Sequence, residues 1–464
     1  MDNNYKTNHT FKYLSYTPTV MEQWEYKLFH TKKDVISDFE SGLQILKDKS
    51  FRAECLHRTL IAGGMAAFDK GIIDFLHKWN DMREPIFLLS EVAGEFKRYT
   101  ADTVHFPYFC TPHLLSKEMV VRGMDLDKSE GAESLFSKSK YIREAVVNMN
   151  GRYGTLGKNY AVIWAYYAYN YINLLLDKLE PCRVILWNEF YAFHIIFKNL
   201  CIEKGIDVCF MEFGNIPGTF SVDNDGQQGE SRIALRQCWG YNRAFDTGKI
   251  IYWIRQNRLN RNRQPTIQFG RADILGYRED KPVILYLGQD DYESCLYPYT
   301  WRTKRFHSPY FKSSDSAARM IERICQSNSW NFVYKLHPIM AQLGNTYELH
   351  RQTNGVVVND VDLYSVIENA DIVLTILSQG AYHALIQEKP VIMLGYNQLR
   401  NKGCIYQLKG GSWRKLEHLM KKALRKGFTD KQRKRFENHV AYLLGKYLYD
   451  DGLHDEMPYG KRLV

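Results

Sequence analysis

Short apolar runs bounded by charge recur along this chain, and between them lie segments whose apolar residues fall every three to four positions. "REPIFLLSEVA" (83–93), "CRVILWNEF" (182–190) and "GIDVCFMEFGN" (205–215) each read as a buried strand. Between the last two, "YAFHIIFKNLCIEKG" (191–205) has helical spacing and is stopped by a glycine, which makes a β-α-β unit. The alternation restarts at "KPVILYLGQ" (281–289), a strand. "SDSAARMIERICQSN" (314–328) follows as a helix with Ser314 or Asp315 near its N-cap, and "WNFVYKLHP" (330–338) is the next strand. "GVVVND" (355–360), "VDLYSVIENA" (361–370), "DIVLTILS" (371–378), "QGAYHALIQEK" (379–389) and "PVIMLG" (390–395) then read as strand, helix, strand, helix, strand. Such alternation predicts parallel sheets with helices on both faces. Before residue 83 the pattern is mixed and helical, as in "VISDFESGLQILKDK" (35–49).

A length of 464 residues exceeds what one hydrophobic core usually organises. The fold class expected is therefore α/β, with two doubly wound Rossmann-like domains facing a cleft and extra helices at both ends. The polar, basic segment "RQNRLNRNRQPTIQFGRAD" (255–273) reads as the linker between them. That divides the chain into an N-terminal α/β domain with a helical extension (1–260), a C-terminal nucleotide-sugar-binding α/β domain (275–400) and a helical tail (401–464). Two such lobes are the layout of a nucleotide-sugar-using enzyme, and the cleft between them is the expected site.

Composition narrows the class. The content is 45% hydrophobic and 25% charged, as in an ordinary globular protein, with 32 Tyr and 24 Phe making it aromatic. The most apolar stretch, "AVIWAYYAYNYINLLL" (161–176), is too short and too rich in Tyr and Asn for a membrane span, so it reads as a buried helix. "MDNNYKTNHTFKYLSY" lacks the apolar core of a secretion signal, and the nine cysteines include no C-x-x-C pair. Both features point to a reducing, cytoplasmic setting. The net charge of +10 is concentrated in "KLEHLMKKALRKGFTDKQRKRF" (415–436), either a solvated helix face or a contact with an anionic membrane surface. Zinc-finger spacing, an RNP-like strand and a base-reading basic helix are all missing, so no nucleic-acid partner is expected.

In open α/β sheets ligands collect at the carboxyl ends of strands, so the residues just beyond each apolar run are the candidates. They are Trp187-Asn188-Glu189, Glu212 to Asn215, Gln289-Asp290-Asp291, Lys335 to Pro338, and Thr375 to Gly380. His337, held extended before Pro338, suits a donor to a phosphate or leaving group, or else a satisfied turn histidine. Ser378 and Gly380 lie where a strand becomes a helix, which suits a phosphate and equally an ordinary N-cap. In "MEFGNIPGTFSVDNDGQQGES" (211–231) a polar, glycine-rich loop leaves a strand. There Glu212 stands at the strand end, and Asp223 and Asp225 precede Gly226 in what reads as an Asx turn. A carboxylate so placed could take the acceptor hydroxyl proton or act as a nucleophile. "DND" lacks the later Glu of a calcium loop, so no metal ligand set is expected.

"EFGNIPGTFSVDNDGQQGES", "LWNE", "YLGQDD", "YKLHP" and "ADIVLTILSQGAYHALIQEKPVIMLG", in this order, resemble the capsule polysaccharide synthesis family, whose members include β-Kdo transferases. The resemblance implies a GT-B glycosyltransferase with an N-terminal acceptor lobe and a C-terminal lobe holding a CMP-sugar. It also implies a retaining reaction with no cofactor beyond that donor, and a lipid-linked or oligosaccharide acceptor. By position Glu212 matches the family's acidic motif, with Phe213 where a second acid is usual. His337 and Pro338 match its His-Pro motif, Ser378 the serine beside the donor phosphate, and Gln289 the glutamine ending the first strand of the second lobe. His383 stands near the place of a common Glu. Glu212, then Asp223, is the expected catalytic carboxylate, and His337, Ser378 and Lys335 would stabilise the single leaving phosphate without a metal. A UDP- or GDP-sugar transferase, a non-hydrolysing epimerase and a non-catalytic capsule assembly or export protein are the rival readings.

Overall fold

The structure is a computed structural model that describes Gln44 and residues 59–62, 87–89, 104–106, 129–153, 158–236, 246–259, 266–342 and 346–450. The helix expected over 35–49 lies almost wholly outside them. The chain divides into two compact units, one running to Glu212 and the other from Phe213 to Asp450.

In the first unit β1 (Thr59–Ala62), β2 (Phe87–Leu89), β3 (Val104–Phe106), β4 (Arg183–Trp187) and β5 (Asp207–Phe213) run in the order β5-β4-β1-β2-β3. Every neighbouring pair is parallel, and the return from β4 to β5 passes through a helix rather than a tight turn. The stretch 161–176 lies within the helix Lys158–Leu179. Trp164, Ala168, Tyr171, Leu175 and Leu179 recur along it at helical spacing and are buried, as expected of a core helix. Ala192–Glu203 completes the β4-α-β5 unit, closed at Gly205 with φ 69°.

The second unit holds β6 (Thr219–Asp223), β7 (Val283–Leu287), β8 (Asn331–Lys335), β9 (Gly355–Val358), β10 (Ile372–Thr375), β11 (Val391–Met393), β12 (Tyr406–Gln407) and β13 (Leu448–Asp450). Six of these form a parallel sheet in the order β12-β11-β10-β7-β8-β9. β7, β8 and β10 are buried at every position, as central strands of a doubly wound sheet must be. β6 pairs antiparallel with β13.

Three boundaries differ from the sequence reading. The compact units divide after Glu212 rather than near 260, because Ile216, Ile233, Ile250 and Ile254 belong to the core of the second unit. The basic segment 255–273 is held by ion pairs, with Arg258 bound to Asp362 (2.6 Å) and Glu368 (3.1 Å) and Arg271 to Asp371 (3.2 Å); residues 260–265 lie outside the described residues. The C-terminal helices Trp413–Lys426 and Asp430–Tyr442 are no separate tail, since Leu416, Met420, Phe436 and Val440 join the same core. On a smaller scale, the helix Ser314–Asn328 is capped by Ser313, whose side chain accepts from Ser316 N. Ser314 is turned inward instead, its hydroxyl beside Tyr286 Oη at 3.0 Å. Among the described residues no helix is long and apolar enough to cross a membrane.

Candidate functional site

The order of the six-stranded sheet fixes where a ligand can enter. From β7 the chain winds outward to β8 and β9, then returns to the other side of β7 to form β10, β11 and β12. The connections leaving β7 and β10 therefore diverge, and the crevice at their carboxyl ends is a topological switch point.

Gln289 lies buried at that point, just beyond β7. Its Oε1 accepts from Leu377 N at 3.0 Å and its Nε2 donates to Ser294 Oγ at 2.8 Å. Both ends of the amide are used, so Gln289 ties the loop after β7 to the turn after β10. In that turn Ser378 N donates to Thr375 Oγ1 (3.3 Å), and Ser378 Oγ accepts from Gly380 N (3.1 Å) as the helix Gly380–Ile386 begins. A Cβ at position 380 would stand 2.8 Å from Leu287 Cδ1, which is why a glycine brings this turn down onto β7. Asp291, also after β7, accepts Ser314 N on both oxygens at 3.0 Å. Burial, with Asp290 and Asp315 nearby, pushes its carboxyl up to about 7, against the opposing pull of that hydrogen bond.

Lys335 ends β8, and its Nζ donates to Asn359 O at 3.0 Å. Burial lowers the pKa of this ammonium, with Asp360 and Asp362 opposing. His337 is half-buried, and its buried Nδ1 has no hydrogen-bond partner among the described residues. Pro338, exposed, opens the short helix Pro338–Gln342, a position where its missing N–H costs nothing.

In the stretch 211–231 the chain leaves β5 as expected, but what reads as a glycine-rich loop beyond it contains β6. Gly214 N donates to Thr219 O at 2.8 Å, and a Cβ on Gly214 would fall 1.9 Å from Thr219 Oγ1, so the reversal between 214 and 219 requires glycine. The reversal reaches the switch point through Gln379 Nε2, which donates to Phe213 O at 3.2 Å. Asp223 forms the expected Asx turn, its Oδ1 accepting from Asp225 N at 2.8 Å. Its Oδ2 accepts from Arg232 N and Tyr447 Oη, both at 2.8 Å. Burial raises its pKa while these three bonds hold it down. Asp225 is exposed at the tip.

Five residues past Asp225, the chain is anchored at Glu230 by a cluster that sequence reasoning missed. Glu230 receives Arg302 Nη2 at 2.6 Å and Nε at 2.8 Å, and stands 3.0 Å from His307 Nε2. Burial works against the Glu230 charge, but hydrogen bonds from His307 and Arg302 outweigh it and hold the carboxyl at about 2. Burial likewise works against charged His307, but Cys295 and Glu230 beside it push its pKa up to about 9. The fit around the cluster is tight. A Cβ on Gly229 would lie 1.8 Å from Phe306 O, and His307 O accepts Tyr396 N at 2.7 Å. The loops after β6, β7 and β11 are thus fastened together beside the switch point. Glu230 lies 72 residues from Arg302 and 77 from His307, so no local spacing signals the contact.

The second unit thus brings Gln289, Lys335, His337, Pro338, Ser378 and Gly380 to one edge of its sheet. Glu212, half-buried in β5, is the last residue of the first unit and immediately precedes Phe213. Glu189, another strand-end acid, is fully buried in a 2.5 Å ion pair with Lys198. His383 lies edge-on to Tyr364, ring centroids 5.6 Å apart, and burial lowers its pKa to about 4. Among the described residues no three His, Cys, Asp or Glu side chains come together as a metal site.

Residues 241–435, somewhat less than half of the chain, match the family of the capsule polysaccharide biosynthesis protein, in agreement with the resemblance read from the sequence. No curated protein matches the chain. Among solved structures it is similar to KpsC of Thermosulfurimonas dismutans. The β-Kdo 2,7 transferase is 22% identical over 53% of this chain and 78% of that one, with a TM-score of 0.35. The β-Kdo 2,4 transferase is 15% identical over 57% and 88%, TM-score 0.38. The UDP-GlcNAc 2-epimerase of Methanocaldococcus jannaschii is 12% identical over 83% and 99%, TM-score 0.36.

Proposed function

We propose that the chain is a glycosyltransferase of capsule or related surface-polysaccharide assembly that moves Kdo or a similar sugar from CMP to a saccharide or lipid-linked acceptor. The observation that carries this reading is the switch point of the second unit. There Gln289, the Ser378 turn and the loop beginning at Phe213 are hydrogen-bonded into one wall. The family match over 241–435 includes β7 to β12 and so the strands that build this site.

In this reading the bond between the anomeric carbon and the phosphate oxygen breaks, and CMP leaves with the electron pair. His337 would donate to the departing phosphate, a role supported by its buried Nδ1 having no hydrogen-bond partner among the described residues. Lys335 adds positive charge, and the Ser378 hydroxyl a hydrogen bond. A single phosphate needs less compensation than a diphosphate, which favours a metal-independent reaction. Glu212 is the first choice for the carboxylate that serves the acceptor hydroxyl or, with retention, attacks the anomeric carbon. Asp223 already accepts three hydrogen bonds and is better suited to shaping the loop, while Asp225 is the exposed alternative.

A lipid-linked acceptor would be met at the inner membrane face. On the helix Trp413–Lys426 the face bearing Leu416, Met420 and Ala423 is buried, and Arg414, Lys415, Lys421, Lys422, Arg425 and Lys426 are exposed. Such cations gain roughly 1 kcal/mol each beside anionic lipid. Salt-insensitive or absent sedimentation with anionic liposomes would remove this contact.

The donor is tested by thermal shift with CMP, UDP and GDP. Stabilisation by CMP alone, abolished in His337→Ala and Ser378→Ala, is expected. Stabilisation by UDP or GDP alone would reassign the donor.

A further inference from the structure

We propose that Trp301, with Arg305 stacked on it, is a binding platform for an anionic oligosaccharide. This deepens the transferase reading, on which it rests, by assigning a surface to the acceptor chain. Trp301 is 65% exposed, although an indole this large is normally covered. The Arg305 guanidinium lies 5.0 Å from the centroids of both the Trp301 and Phe306 rings, and those two rings meet edge to face at 6.2 Å. Tyr297, 37% exposed, lies a few residues before it and meets Tyr292 edge to face at 5.4 Å.

The platform is tied in place by hydrogen bonds. The helix Trp301–Phe306 opens on a capping box of Thr300 and Thr303, Thr303 Oγ1 donates to Pro298 O at 3.1 Å, and Tyr299 Oη donates to Ser308 O at 3.0 Å. Arg302 is fixed by Glu230, so the helix presenting Trp301 hangs from the cluster that fastens the loops around the switch point. Trp301 thus stands on the connection that leaves the carboxyl end of β7, the end at which Gln289 lies.

The chemistry of the patch selects the ligand class. Pyranose rings offer a C–H face that stacks on an indole, and their substituents bond outward to polar groups, whereas a lipid tail or helix face would need a wider apolar surface. Between 292 and 312 the chain carries Arg302, Lys304, Arg305 and Lys312 against the single acid Glu293. Lys304, Arg305 and Lys312 are exposed, which favours a saccharide bearing carboxylates.

The test is calorimetric titration of the full chain with a galacturonic acid hexamer, a maltose-series hexamer and anionic vesicles. The acidic hexamer is expected to bind, with affinity falling about tenfold in Trp301→Ala, the size of one stacking contact. Arg305→Ala should weaken the acidic hexamer while leaving the neutral one unaffected, and the exposed Tyr252→Ala should change nothing. Absence of binding to the unaltered chain, equal affinity in Trp301→Ala, or binding of vesicles alone would overturn the platform. A parallel CMP thermal shift separates the two ideas. CMP binding with Trp301-independent saccharide binding sinks the platform alone. Trp301-dependent saccharide binding without a thermal shift from CMP sinks the CMP-sugar transferase reading alone.

Discussion

Replacing Glu230 by Gln removes one charge at the junction of three loops while keeping the side chain's shape. In the native protein the carboxyl is held at about 2 from an ordinary 4.5, because His307 and Arg302 outweigh the cost of its burial. At about 1.4 kcal/mol per pKa unit this depression is worth about 3 kcal/mol. Breaking a buried ion pair from one side usually costs about 3–5 kcal/mol, which agrees. The variant leaves fully buried His307 facing Arg302 with no anion between them. The pH dependence follows from both partners. Glu230 is depressed, so its contribution is complete above 4.5 and lost as pH falls toward 2. His307 is raised from 6.5 to about 9, so its contribution is complete below 6.5 and lost as pH rises through 9. Urea unfolding followed by tryptophan fluorescence should show Glu230→Gln less stable by about 3 kcal/mol at pH 5–6.5. The gap should narrow by pH 9.5, where native His307 has lost its proton. A difference below about 1 kcal/mol at pH 6, or one unchanged at pH 9.5, would refute the buried ion-pair argument.

Three further outcomes follow from the same geometry. Gly229→Ala places a methyl 1.8 Å from Phe306 O, so circular dichroism melts should show a loss of about 1–3 kcal/mol by overpacking, while Gly427→Ala, in open space but at φ 63°, should lose about 1–3 kcal/mol through backbone strain alone. Gln289→Leu strands the N–H of Leu377, and should destabilise by about 1–3 kcal/mol and remove nucleotide-induced stabilisation; an unchanged thermal shift would show the switch-point wall to be dispensable. Asp291 has a raised pKa, so it penalises the fold as pH rises from 3.8 through about 7, and Asp291→Asn should gain stability relative to the parent between pH 5 and 8. A constant difference across that range would contradict it.

The sheet of the second unit was legible because its central strands are buried on both faces and spell unbroken apolar runs, as in "VILYL" and "IVLT". β6 was hidden for the opposite reason. "TFSVD" sits among glycines and acids, and its antiparallel partner Leu448–Asp450 is distant in sequence. The linker was misjudged because basic composition alone does not reveal that Arg258 and Arg271 meet Asp362 and Asp371. The strand-end rule places Gln289, Lys335, His337 and Ser378 at the carboxyl ends of β7, β8 and β10 because each lies at or within three residues of the end of an apolar run. Glu230, Arg302 and His307 lie on connections, and only folding brings them together.

Mass spectrometry of products tests the central claim most directly. The purified chain would be incubated with CMP-Kdo, UDP- and GDP-sugars and with oligosaccharide and lipid-linked acceptors. A glycosylated acceptor formed from the CMP-sugar and lost in Glu212→Ala and His337→Ala is the expected result. Full transfer by both variants would contradict the site, and absence of product from every donor, despite folded protein, would contradict the function.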